Sequence, residues 1–145
     1  MTVFADGFTF KTGDGASPEV FTAMELLEIP EFMASGKATF PRRTTGDTDN
    51  TPRFGMGRDI PDELALVAEL EYADAQQDRL RTVYGSGADV QLQFIMADGT
   101  VTVTYQAAFK VLSTPITATD PNGDGENNKQ TFNVKRNSDW TETEV

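Results

Sequence analysis

Two alternating runs joined by Asp98-Gly99 restrict this chain more than any other feature in it. From Asp89 to Met96 every second residue is apolar: Val90, Leu92, Phe94 and Met96. Past Asp98-Gly99 the alternation resumes. Val101, Val103, Tyr105, Ala107, Phe109 and Val111 share one face, and Thr100, Thr102, Thr104, Gln106 and Lys110 share the other. A period of two belongs to a strand with one face buried. Asp-Gly between two such runs is a hairpin turn, so the pair predicts an antiparallel hairpin with a one-sided core. The β-branched residues of the second run favour the same pleated surface.

Other segments extend the pattern. From Glu63 to Tyr72, residues Leu64, Leu66, Ala68, Leu70 and Tyr72 lie on one face and Glu63, Val67, Glu69 and Glu71 on the other. Glu and Leu favour helix, but the alternation outweighs propensity here. Lys129 to Arg136 predicts a last strand with Phe132 and Val134 inward, while Glu19 to Ile29 fits either period and is taken as a strand. One helix is expected. Asp74 serves as N-cap with Gln77 completing a capping box, Gln76, Leu80, Val83 and Tyr84 form the stripe, and Gly85 ends it. The fold class is mainly β: two packed antiparallel sheets, a sandwich or barrel, with one short flanking α-helix.

At 145 residues the chain has the usual size of one domain, and roughly two-thirds of its unfolded surface is buried on folding at that length. Residues 1–136 are assigned to that domain. Residues 137–145 are read as a C-terminal tail, mobile unless a neighbour captures it, and they carry the single tryptophan, Trp140. Lys37 to Arg58 is long and polar for a loop inside a compact domain, which makes it a functional-loop candidate.

Composition narrows the chemistry. The chain has no cysteine and no histidine, so disulfides, thiolate nucleophiles and the commonest general base are out of reach. A Ser-His-Asp triad cannot be built, and an enzyme is not expected. The net charge is −11, which disfavours binding to the phosphate backbone and instead repels DNA. The first ten residues hold neither a basic stretch nor an apolar run, and no segment approaches the roughly 20 apolar residues of a membrane helix. Synthesis and folding in a cytoplasm are therefore expected.

Three local patterns invite chemical readings. Asp120, Asn122 and Asp124 before Gly125 match the first half of a calcium loop, but Thr131 stands where the bidentate Glu belongs and the flanks read as strands. A plain turn uses the same residues. Glu69 and Glu71 share a strand face as a glycosidase pair would, without an aromatic cleft beside them. Gly55-Met56-Gly57 and Gly85-Ser86-Gly87 lack the Lys of a phosphate loop. No cofactor is implied. Arg42, Arg43, Arg53 and Arg58, in a chain this acidic, are suited to meet the acidic surface of another copy.

The order of parts is then informative. A polar Arg/Gly loop precedes the strand from Glu63. A helix opens with Ala73-Asp74-Ala75-Gln76-Gln77, and Leu80-Arg81-Thr82-Val83-Tyr84-Gly85-Ser86-Gly87 leads into the hairpin with Asp98-Gly99. From about Glu28 to Arg136 this layout resembles the tail-tube proteins of long-tailed phages and the tube proteins of related gene-transfer particles. It departs in having Tyr72-Ala73 before the helix, and the extra C-terminal immunoglobulin-like domain of many members is not expected here. The resemblance implies two sheets flanked by the helix, six subunits per ring, and sheets joined into one β-barrel around a channel. It implies rings stacked into a tube through which DNA passes without specific binding. The long loop that reaches the next ring corresponds to Lys37–Arg58. Partners would be further copies and tape-measure, tail-tip and tail-terminator proteins, and the location would be the virion tail. Glu63, Glu69 and Glu71 are the lumen-facing candidates; Arg42, Arg43, Arg53 and Arg58 are the ring-stacking candidates. A tube protein of a contractile device, and a monomeric calcium- or ligand-binding β-sandwich, are the competing readings.

Overall fold

The computed structural model describes residues 7–33, 36–42, 53–118 and 128–145. In chain order the elements are β1 (Phe8–Gly13), β2 (Phe21–Ala23), β3 (Lys37–Pro41), β4 (Phe54–Asp59), β5 (Glu63–Glu69), α1 (Ala75–Ser86), β6 (Asp89–Ala97), β7 (Thr102–Ser113), β8 (Ile116–Thr117), β9 (Lys129–Arg136) and β10 (Thr141–Glu144). Eight strands form one antiparallel sheet in the spatial order β2-β1-β6-β7-β9-β5, with β10 paired to β7 and β8 paired to β9. β3 and β4 form a separate two-stranded sheet. The chain is thus mainly β, with two antiparallel sheets and one short helix; alternation predicts the inner strands of the large sheet, and the β3–β4 sheet carries no such signal. The sheets are unequal, and among the described residues the large one does not close into a barrel.

The hairpin β6–β7 is the centre. Leu92 faces Ala107, Val90 faces Phe109 and Phe94 faces Tyr105 across the pair. The turn is held by Asp98, whose Oδ1 accepts from the backbone N–H of Thr100 and Val101. Gly99 sits at φ +97, a conformation an L side chain resists. The inward residues of β1, β5, β6, β7 and β9 converge on one core with Phe8, Phe10, Phe94, Phe109 and Phe132 fully buried. Each such ring contributes about 1.5–3 kcal/mol. Phe94 is the hub: its ring centroid lies 5.2 Å from Phe10, 4.9 Å from Phe32 and 6.1 Å from Phe109. Helix α1 packs on β6 and β7.

Four expectations are corrected. Of Glu19–Ile29 only β2 is extended; Met24 and Leu26 then turn into the core, tied by Met24 N–H to Phe10 O and Leu27 N–H to Val67 O. The strand from Glu63 ends at Glu69 rather than Tyr72, because the chain turns at Tyr72-Ala73 into the helix. Asp74 does cap that helix, accepting from Gln76 N–H at 2.9 Å, but Gln77 does not complete a box. Its amide is buried and reaches back to the strand end instead, donating to Glu69 O at 2.8 Å and accepting from Glu71 N–H at 3.1 Å. The buried stripe is therefore Gln77, Leu80 and Val83, Tyr84 is exposed, and the left-handed cap is Gly87 at φ 72 rather than Gly85.

The fourth correction concerns the C-terminus. Asn137–Val145 is captured by its own chain. β9 pairs with the second half of β7, and β10 continues the same line along the first half, with Thr141 opposite Gln106 and Glu144 opposite Val103. The break between them is bridged by Asn137 N–H to Ala108 O at 2.7 Å and Ala108 N–H to Ser138 Oγ at 2.8 Å.

Candidate assembly surfaces

Three surfaces stand out once the core is accounted for: an arm, a clamp at its root, and the polar face of the large sheet.

The arm is the β3–β4 hairpin. All of β3 is exposed, and the arm does not join the large sheet. Thr39 pairs with Met56, Phe40 with Gly55 and Pro41 with Phe54. Strand alternation puts Phe54, Met56 and Pro41 on one face, where Phe54 is 64% and Met56 61% exposed. On the other face the Phe40 ring lies over Gly55, in the space a Cβ would take. Of the stacking candidates, Arg42 and Arg53 sit opposite each other just past the paired strands, with Arg42 N–H donating to Arg53 O at 3.0 Å. Arg58 lies on β4, beside a cleft of about 500 Å³ shared with Lys37, Asp59 and Asp139. Arg43 lies outside the described residues, as do the calcium candidates Asp120, Asn122 and Asp124.

The clamp was not legible in sequence. Asp62, at 2% exposure, and Arg136, at 8%, form a buried ion pair with Arg136 Nε 3.2 Å from Asp62 Oδ2. Trp140 Nε1 donates to the same oxygen at 2.8 Å, and the Arg136 guanidinium lies 5.7 Å from the Trp140 ring centroid. Arg136 also donates to Ser138 O at 2.7 Å and to Ile60 O at 3.4 Å. Phe32, just before the arm, packs against Trp140 at 6.0 Å. Phe32 ahead of the arm, Asp62 after it and the start of β10 thus meet at one indole.

The polar face carries two of the three lumen candidates. Glu63 and Glu69 lie on the exposed face of β5, and each has a lysine directly across on β9: Lys135 opposite Glu63 and Lys129 opposite Glu69. Lys135 Nζ is 3.6 Å from the Glu63 carboxylate. The row continues inward, with Lys110 opposite Lys135 and Asp89 opposite Lys110. Lys110 bonds Asp89 at 2.9 Å, and this contact, with the Asn137 amide, holds the Asp89 carboxyl below its ordinary value. Beyond that row the face is amide-rich: Gln93 Nε2 donates to Gln106 Oε1 at 3.0 Å, and Gln106 to Gln91 at 3.4 Å. Glu71 lies past the strand end. It borders a depression of about 520 Å³ with Glu25, Leu26, Leu27 and Asp74.

No family model matches the chain, and no curated protein does. Solved structures do. The tail of an empty gene transfer agent particle, refined with C6 symmetry, superposes with a TM-score of 0.72 at 14% identity, covering 99% of each chain. The sheath-tube complex of an extracellular contractile injection system gives a TM-score of 0.68 at 10% identity over 99% of this chain and 93% of that one. The SPP1 tail tube gives 0.65 at 11% identity over 98% and 79%. At these identities the likeness establishes architecture: the chain has the fold found in the tubes and tails of phage-like particles.

Proposed function

We propose that this chain is a structural virion subunit that forms six-membered rings, and that the rings stack into a tail tube conducting DNA. The observation that carries the reading is the end-to-end fold likeness to a C6-symmetric particle tail, with 99% of both chains covered. The open sheet supports it. A sheet with free edges invites pairing with another copy, and a ring removes those edges by closing on itself. The subunit is assembled in the host cytoplasm and resides in the virion tail. Its partners are further copies and the tape-measure, tail-tip and terminator proteins. It is assigned no catalytic role.

Within this reading Glu63, Glu69 and Glu71 face the lumen, and an acidic wall lets DNA slide without adhering. Arg42, Arg43, Arg53 and Arg58 lie in the loop that contacts the neighbouring ring. Negative-stain microscopy of concentrated protein, with sedimentation in and out of calcium, tests the function. Stacked rings or hollow tubes indifferent to calcium are expected. A monomer stabilised by calcium overturns the reading in favour of a ligand-binding module. Replacing the four arginines by Ser is expected to shorten or abolish tubes; unchanged tube length and stability would remove them from the stacking contact.

A further inference from the structure

We infer that β10 is a strap that holds the free subunit back from assembly. It covers the first half of the β7 edge, and a strand of a second copy takes that edge when β10 peels away. The inference rests on the tube reading for what is assembled, and it adds the step that licenses assembly.

On one side β7 pairs with β6 from Thr102 to Lys110. On the other side its edge is shared between two strands of different character. β9 takes Phe109 to Ser113 and sends Phe132 and Val134 fully into the core, so it cannot leave without unfolding the domain. β10 takes Val103 to Gln106, and Val145 exchanges both backbone bonds with Thr102, at 2.9 and 3.0 Å. No side chain of Thr141–Glu144 is buried. Glu142 stands opposite Tyr105 and Glu144 opposite Val103, so neither faces a cation across the pair, unlike Glu63 and Glu69 on β5. The anchor of β10 lies at its root, where the Trp140 ring packs against Phe94, Phe109 and Tyr105 at 5.9, 5.7 and 6.5 Å. A strand held by backbone bonds and one end anchor belongs to the low end of the local stability range.

What β10 hides is more adhesive than what it shows. Charged side chains on an edge strand resist further pairing, whereas β-branched and aromatic residues invite it. β10 presents Glu142 and Glu144; the stretch it covers is Val103, Thr104 and Tyr105. Opening at Thr141 replaces a charged edge by a bare one and leaves Trp140 and the clamp in place. The occupant is a second copy. The sheet ends in β2 and β5, whose outer edges meet no strand among the described residues, so each copy brings a free edge to the one that β10 uncovers. The exchange is backbone bond for backbone bond, and it costs little beyond release of the strap.

Deleting Thr141–Val145 keeps Trp140 and is expected to lower the concentration at which subunits associate in sedimentation by about tenfold, equal to about 1.4 kcal/mol. Val103→Cys with Glu144→Cys locks the strap in a chain that has no other cysteine. These two positions lie next to the hydrogen-bonded pair Thr102–Val145, at the closer spacing of an antiparallel ladder, which a disulfide spans. The oxidised double variant is expected to stay monomeric and to associate once reduced. Should the deletion lose its native circular dichroism, the lock decides alone. Hydrogen exchange of the dilute, unmodified subunit reads the strap apart from any assembly. Amides along β7 alternate between its two edges. Those of Thr102, Thr104 and Gln106 face β10 and are expected to exchange at least about tenfold faster than those of Val103 and Tyr105, which face β6. Equal exchange on the two edges, or association of the oxidised form no weaker than that of the reduced form, overturns the strap. Rings formed alike by the locked and released chains keep the tube and remove the strap, whereas association on release without rings keeps the strap and removes the tube.

Discussion

At the scale of single residues, the clamp concentrates the largest local energies. Asp62 and Arg136 are both buried, and removing one partner of such a pair leaves an uncompensated charge in the interior. Asp62→Asn is therefore expected to lower unfolding free energy by about 3–5 kcal/mol, measured by urea denaturation. Trp140→Phe keeps the ring but deletes one bond to an oxygen still held by Arg136, so about 1–2 kcal/mol is expected. Exposed carboxylates act through pH instead. Backbone N–H groups of Val101 and Thr100 hold Asp98 below its ordinary value, and those of Ala16 and Val20 do so for Asp14, while Lys110 does so for Asp89. A folded value below the unfolded one contributes stability above about pH 4, and that stability is lost as pH falls through the folded values. The urea midpoint should hold from pH 7 to about 4 and then decline. Asp98→Asn should lower the plateau and flatten the decline; an unchanged slope would show that the turn contributes nothing.

At the scale of elements, the legible and the illegible divide by what each side chain answers to. β6, β7, β9 and most of β5 were readable because one-sided burial imposes a period of two on neighbours in sequence. The helix is legible at Asp74, where capping is local, but not at Gln77, whose partners Glu69 O and Glu71 N–H lie at and just past the end of the preceding strand. β10 leaves no sequence signal, because Thr141–Glu144 is exposed throughout and shows no apolar alternation. Its pairing is set by Trp140 and by the line β9 already follows along β7, which no local pattern announces. The arm stands out in sequence by its arginines and length, but its strands leave no signal, because neither face is buried and no apolar alternation results. Its geometry rests on one close approach. The Phe40 ring occupies the place of a Cβ on Gly55, so Gly55→Val must displace that ring and part the hairpin. The arm packs outside the core, so thermal stability should shift by less than about 0.5 kcal/mol, as for other surface changes. Ring or tube formation by sedimentation should be lost. Retained assembly would show that the arm is dispensable.

At the scale of the whole molecule, the proposed conduit turns on where the acidic charge lies. The net charge of −11 is not spread evenly: on the polar face of the sheet Glu63 and Glu69 stand opposite Lys135 and Lys129, and Asp89 is bonded to Lys110. If this face lines the channel, its repulsion of DNA depends on carboxylates that also neutralise lysines. Glu63→Gln with Glu69→Gln keeps size and backbone pairing while leaving Lys135 and Lys129 without their cross-strand carboxylates. The exposed Glu63–Lys135 ion pair that is lost is worth only about 0.2–1 kcal/mol, so subunits should still fold and assemble. The wall would then attract phosphate, with an affinity that falls steeply with salt. Tubes of the double variant should retain short linear duplexes at low salt, where unmodified tubes do not. Covalently closed circles, which cannot thread a channel, distinguish the two walls. Retention of linear duplex alone puts Glu63 and Glu69 in the lumen, whereas equal retention of circles puts them on the outside and moves the conduit surface to another face of the ring.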